Sequence, residues 1–220
     1  MCAVLGGGWA AAQTPAQAPA QKPAVDRWEA DIRKFEAADK VGPPHEGGVV
    51  FVGSSSIVRW NVNEAFPELG SLAINRGFGG SLIGDSTRYA DRIVIPYKPR
   101  LVVFYAGDND LVTDATPAQI ADQFAQFAVK VRRALPKTRI IFVSIKPSLQ
   151  RWAHIDKARA ANALVRRYCA ADPLLTYLDI ETPMLGSDGR PRPELFVQDG
   201  LHLSAEGYRI WNAALRPLLR

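Results

Sequence analysis

Cysteine is nearly absent from this chain of 220 residues: Cys2 and Cys169 are the only two, and neither lies in a C-x-x-C or Cys/His spacing. A disulfide framework and a thiolate metal site are therefore unsupported. Histidine is almost as scarce, so imidazole chemistry has only three addresses, His45, His154 and His202. No apolar run approaches the roughly 20 residues that a membrane-spanning helix needs, and the mature chain reads as soluble. Also missing is a basic run interleaved with aromatics. Lys and Arg number 27 against 22 Asp and Glu, but the excess of +5 is spread along the chain. That is the pattern of a mildly basic solvated surface and not of a nucleic-acid interface. What remains, 47% hydrophobic and 22% charged residues, is the balance of one globular domain with a substantial core.

Residues 1–24 do not read as part of that domain. MCAVLGGGWAAA has the short apolar character and small-residue end of a signal peptide, with Ala10-Ala11-Ala12 as its cleavage site, although no basic region precedes it. The following QTPAQAPAQKPA is a Pro/Ala/Gln linker of the kind that tethers exported domains. The reading favours export, periplasmic or secreted, over a cytoplasmic leader, and places the folded domain at residues 25–220.

Within the domain one stretch organises the rest. The β-branched and aromatic run 49–52 stops at Gly53, three serines follow, and an apolar-periodic segment resumes at Ile57. That is strand, tight turn, helix. A serine at such a corner projects its hydroxyl from the end of a strand, beside N–H groups of the first helical turn that have no carbonyl partner, so a nucleophile would sit here. Upstream, a helix is expected from Asp26, with Asp26 and Glu29 as a capping box and Trp28, Ile32 and Phe35 at helical spacing, ended by Gly42-Pro43-Pro44. Downstream, a short strand at 72–74 leads into NRGFGG, residues 75–80, after which Ser81 caps a helix to about Ile93. A strand at 101–105 leads into AGDND, residues 106–110. Thr116-Pro117 opens a helix with one apolar stripe of Ile120, Phe124, Phe127 and Val131. A strand at 140–145, a helix at 156–170, a strand at 174–180 and an irregular stretch to Gly200 follow. Ser204 then caps a last helix burying Tyr208, Trp211 and Leu215. Near-continuously apolar strands alternating with helices imply a three-layer α/β/α sandwich around a five-stranded parallel sheet of flavodoxin-like order.

In such a sheet, ligands bind outside the carboxyl ends of the strands, so the serine corner, the glycine loop and the GDND turn face one crevice. Each block has an inert reading when taken alone. The serines could be an N-cap cluster. Gly107 to Asp110 could be a β-turn or, with two carboxylates, a divalent metal site. Against the metal, Asp108 and Asp110 point to different sides of an extended turn, and no histidine cluster accompanies them. His202, like His45 and His154, could be a packing residue, but only His202 has an acidic residue, Asp199, three positions before it and a helix cap behind it.

Taken together the blocks resemble the SGNH hydrolases, or GDSL-type esterases and lipases. Gly53-Ser54-Ser55 stands where that family has Gly-Asp-Ser, 75–80 looks like its second block, Gly107-Asp108-Asn109-Asp110 like its G-x-N-D, and Asp199-Gly200-Leu201-His202 like its D-x-x-H. The resemblance implies Ser55 as nucleophile, His202 as general base and Asp199 as its orienting carboxylate. It implies an oxyanion hole of Ser55, Gly80 N–H and the Asn109 amide. It implies no metal and no organic cofactor. Serine at 54 in place of the family's aspartate, and Ser81 where many relatives carry aspartate, bear on local hydrogen bonding and subfamily, not on the triad. Gly84-Asp85-Ser86 spells the family signature literally, but it follows no strand and reads as polar residues on a solvated helix face. The implied activity is hydrolysis of short acyl esters, acetyl above all, on substrates that include carbohydrates. A lysophospholipase or thioesterase, a silent carbohydrate-binding relative and a phosphate-binding flavodoxin-like protein are the alternatives. Short polar connections without an apolar lid tilt the reading to small acyl groups. Arg76, Phe78, Arg151 and Trp152, with Tyr105 and Lys146, are the candidates for lining the substrate site.

Overall fold

The computed structural model describes residues 27–220; the leader, the linker and Asp26 of the expected capping box lie outside them. Five parallel strands form one sheet in the order β2-β1-β3-β4-β5, the flavodoxin-like order. The strands are β1 (Val49–Gly53), β2 (Ala73–Gly77), β3 (Leu101–Tyr105), β4 (Arg139–Val143) and β5 (Leu175–Leu178). The helices are α1 (Glu29–Val41), the single turns α2 (Ser55–Val58) and α3 (Val62–Ala65), then α4 (Ile83–Ile93), α5 (Pro117–Ala134), α6 (Ile155–Ala170) and α7 (Ala205–Leu215).

Alternation along the strands sorts the core into two halves. Val50, Val52, Val102, Phe104, Ile140 and Phe142 face α1, α4, α5 and α6. Their neighbours Val49, Phe51, Val103, Tyr105, Ile141 and Val143 face α2, α3 and α7. Successive side chains point to opposite faces, so a strand buried on both sides must be apolar throughout, which is why the runs could be read without a period. The α5 stripe is buried as expected, and Thr116 and Gln119 form a reciprocal cap, with Gln119 N–H donating to Thr116 Oγ1 (3.2 Å) and Thr116 N–H to Gln119 Oε1 (2.8 Å).

Four local expectations need correction. Helix α1 begins at Glu29, with no side-chain cap at Trp28. Helix α4 is not capped by Ser81, which is buried just before the N-cap position Leu82; Leu82 N–H donates to Asp85 Oδ2 (2.8 Å), and Ile83 N–H donates across space to the Asp110 carboxylate (3.3 and 3.4 Å). Ser86 is helical but fully buried, so of the literal Gly-Asp-Ser only Gly84 is exposed, with Asp85 half-buried, and its serine does not lie on a solvated face. Tyr208 is half-buried, its hydroxyl donating to Ser56 O (2.8 Å).

Candidate active site

The serine corner exists because Gly53 ends β1 with φ +140°, where a Cβ would lie 1.8 Å from Tyr105 O. No L side chain fits there. The chain turns, Ser54 N–H donates to Tyr105 O (3.0 Å), and Ser55 opens α2. Of the three serines, Ser54 and Ser56 are fully buried. Ser55 Oγ lies 2.9 Å from His202 Nε2, and His202 Nδ1 lies 2.6 Å from Asp199 Oδ2. A carboxylate can only accept, so Nδ1 carries the proton and Nε2 is left to accept from the serine hydroxyl.

Asp199 and His202 meet through one tight turn. Asp199 Oδ1 accepts from Leu201 N–H and His202 N–H, both at 2.9 Å, and Gly200 takes φ +65° between them. Val197 N–H bonds to His202 O (2.9 Å), and Gln150 N–H bonds to Gly200 O (3.0 Å), which holds the turn against the loop after β4. Burial alone would raise the Asp199 carboxyl; its bonds to the His202 ring and to the His202 and Leu201 amides outweigh this and hold it well below the usual aspartate range. The carboxylate is therefore charged and available to a protonated imidazole.

The two other blocks stand at the carboxyl ends of the strands flanking β1. Phe78 N–H donates to Gly53 O (2.9 Å), which joins the glycine loop to the serine corner. Gly80 sits at φ +75°, and the Arg27 guanidinium approaches it closely enough that a Cβ would lie 2.9 Å from Nη2. Trp28 Nε1 donates to Gly79 O (3.0 Å), so the start of the domain covers this loop. Asn109 donates one amide proton to Ser81 O (3.1 Å), which leaves the second for a ligand. Asn75, the first residue of NRGFGG, clamps the corner from below: its Nδ2 donates to Ile57 O (2.7 Å) and Trp60 O (3.1 Å), and its Oδ1 accepts from Gly77 N–H (2.9 Å).

Several expected substrate contacts are elsewhere. Arg76 is buried under the Phe35 ring, paired with Asp39 and donating to Tyr97 Oη (2.8 Å), so it ties β2 to α1. Phe78 is 1% exposed, edge-on to both Trp28 and Tyr89, and offers no face to the crevice. Tyr105 and Lys146 are buried beneath the GDND loop, bonded to Asp108. Arg151 and Trp152 are half-buried on the loop after β4. Trp152, crossed by the Arg190 and Arg159 guanidinium groups at 5.1 and 5.8 Å, lines a cleft of about 530 Å³ together with Leu149, Asp188 and Arg192. Leu149 in turn touches Gly200, so this cleft borders the Asp199 turn. Among the described residues no group of three or more His, Cys, Asp or Glu is arranged to hold a metal; the Asp108 and Asp110 carboxylates are committed to Lys146 and to the start of α4 respectively. Sequence reasoning missed the Asp108–Lys146 pair, the role of Asp110 and the cover supplied by Arg27 and Trp28. The only signal was the presence of two carboxylates in one short turn.

Comparison with known proteins places this geometry. Residues 54–210 match the GDSL-like lipase/acylhydrolase family. No curated protein matches the chain. Among solved structures, a protein from Streptococcus pneumonia superposes with a TM-score of 0.76 at 21% identity, covering 87% of this chain and 92% of that one. A GDSL-like lipase from Bacteroides thetaiotaomicron gives 0.72 at 22% identity, covering 86% and 97%. A carbohydrate esterase family 3 protein from Talaromyces cellulolyticus gives 0.64 at 18% identity, covering 79% and 96%. At these identities the superpositions speak for the fold, and the family match, which spans most of the domain, speaks for descent: the chain belongs to the GDSL-like lipase/acylhydrolase family of the SGNH hydrolase superfamily and is an ester-cleaving hydrolase.

Proposed function

We propose that the chain is a serine esterase that removes short acyl groups, acetyl foremost, through an acyl-enzyme. The observation that carries this reading is the unbroken hydrogen-bonded line Asp199–His202–Ser55, at 2.6 and 2.9 Å. In the reaction Ser55 Oγ attacks the ester carbonyl while His202 Nε2 takes its proton, and the imidazolium so formed is stabilised by the Asp199 carboxylate. The tetrahedral oxyanion is held by Ser55 N–H, Gly80 N–H and the free Asn109 amide proton. His202 returns the proton to the leaving alcohol. Water, deprotonated by the same nitrogen, then releases the acid. The glycine at 80 matters because its positive φ turns the N–H without a Cβ in the way.

The acetyl preference and a sugar leaving group are supported by the carbohydrate esterase among the structural neighbours and by the half-buried Trp152 at the edge of the Asp199 turn, an aromatic face of the kind sugars pack on. Export of the protein remains the reading of its leader, which lies outside the described residues. The deciding experiment is Ser55→Ala, assayed on an activated acetyl ester and tested for labelling by an organophosphonate. Turnover should fall by a factor on the order of 10⁴ or more, because no acyl-enzyme can form, and the wild-type adduct should map to Ser55. Retained turnover, or an adduct on another serine, would overturn the reading.

A further inference from the structure

Lys146 is buried with no exposed side-chain surface, and its partner Asp108 is 4% exposed. The Lys146 ammonium donates to Asp108 Oδ2 (2.5 Å) and to Tyr105 Oη (3.0 Å), and Tyr105 O–H donates to the same Asp108 oxygen (3.1 Å). The three groups close a triangle. A buried ion pair is a poor device for stability, since desolvation consumes most of the attraction and apolar residues of similar shape often do as well. The location of the triangle supplies a different reason for it. Asp108 immediately precedes Asn109, and Gly107 before it is pressed against Ile145, where a Cβ would lie 2.7 Å from that side chain. Tyr105 receives Ser54 N–H on its carbonyl (3.0 Å) and packs tilted against Trp211 (4.7 Å between ring centroids). The triangle therefore fastens the end of β3, the segment after β4 and the GDND loop to one another directly beneath the serine corner. Among the described residues Asn109 itself has a single side-chain anchor, the bond to Ser81 O.

We infer that Lys146, Asp108 and Tyr105 are positioning residues for the oxyanion hole, fixing the loop so that the free Asn109 amide proton points at the developing oxyanion. The inference rests on the proposed role of Asn109. Interactions aimed at a transition state lose their value when displaced by a fraction of an ångström, so a rigid buried tripod under the donor is worth its desolvation. The Asp108 carboxyl is held low: burial would raise it, and the attraction and hydrogen bond of Lys146 outweigh that, so Asp108 is an acceptor for both partners.

The test is a cycle between the tripod and Asn109. Removing Lys146 alone would strand a buried carboxylate, so both charges are removed together in Asp108→Asn/Lys146→Met, with Tyr105→Phe as a gentler second variant should the pair fail to fold. On an activated acetyl ester, kcat should fall about 10- to 100-fold for the pair and about 3- to 10-fold for Tyr105→Phe, with KM within about threefold and the thermal midpoint little changed. In an Asn109→Ala background the same changes should cost less than about twofold, because the donor they position is gone. A full loss persisting in that background, or unchanged kcat in the folded variants, would overturn the inference. If Asn109→Ala itself left kcat untouched, the assignment of Asn109 to the oxyanion hole would fall, and the inference with it. These failures are told apart by which single variant keeps its rate.

Discussion

Asp110 offers a test of the site's electrostatics that needs no substrate. It is 1% exposed in the turn after β3, packed against the start of α4, and its carboxylate accepts from Ile83 N–H at the long distances of 3.3 and 3.4 Å. Burial pushes the carboxyl from the ordinary 3.8 up to about 6, with the Ile83 bond opposing and the nearby Asp108 and Asp85 charges adding to the rise. The sign of the consequence follows from proton counting. Between the two values the unfolded chain has released a proton that the folded chain keeps, so stability is lost as pH rises through this window. The gap from 3.8 to about 6 corresponds to about 3 kcal/mol, fully present near pH 3.5 and gone above pH 7. Asp199, Glu29 and Glu36 have lowered values and act in the opposite direction, so the raw stability profile of the wild type mixes both signs. The comparison with Asp110→Asn isolates one group. Asparagine keeps an acceptor for Ile83 N–H but does not titrate. Urea unfolding at half-unit steps from pH 4 to 7.5 should show the wild type losing about 2 to 3 kcal/mol relative to the variant as pH rises. Parallel profiles would refute the argument and mean that Asp110 is ionised in the fold at pH 4.

The remaining predictions concern the corner, the loops and the substrate. Gly53→Ala should abolish soluble expression of folded protein, since its Cβ would overlap the Tyr105 carbonyl, whereas Gly80→Ala should fold, because the nearest atom is the far end of Arg27, and yet lose turnover about 10- to 100-fold; equal melting temperatures for the two would contradict this. Asp199→Asn keeps an oxygen for the two turn amides but cannot accept the imidazole proton, so kcat should drop roughly 10² to 10⁴-fold at unchanged fold by circular dichroism. Ser86→Ala should leave kcat within twofold. Hydrolysis of p-nitrophenyl esters should be fastest from acetyl to butyryl; a rate climbing to ten carbons would sink the short-acyl reading.

The sheet was legible because its strands are covered on both faces and so appear as unbroken apolar runs, and α5 because its stripe, its threonine cap and its proline agree with one another. Side-chain destinations were not. Arg76 and Phe78 lie within NRGFGG beside Gly80 in sequence, but β2 is an edge strand packed against α1, and the pleat sends Arg76 towards Asp39 and Tyr97. Ser81 looked like a cap because it precedes a helix, yet Leu82 N–H is taken by Asp85 and Ile83 N–H by Asp110, 27 positions beyond Ile83. Asp108 and Lys146 are separated by 38 residues, and no periodicity links them. Contacts of this kind are set by which strands neighbour one another, and only the assembled sheet brings the ends of β3 and β4 together.

The three serines show the same division at a single corner. Composition makes 54, 55 and 56 equivalent, and only resemblance selected the middle one. In the fold the selection has a physical cause. Gly53 reverses the chain, and the helical turn beginning at Ser55 spaces successive side chains by about 100°. Ser54 and Ser56 are sent into the interior, where their hydroxyls have no partner among the described residues, and Ser55 is sent towards His202. The buried Ser54 occupies the place of the aspartate in the wider family's motif. A carboxylate there would be desolvated, whereas a serine hydroxyl is far cheaper to bury. The corner thus departs from the family's Gly-Asp-Ser at the side chain that faces inward, while the side chain that meets the imidazole keeps the family's residue.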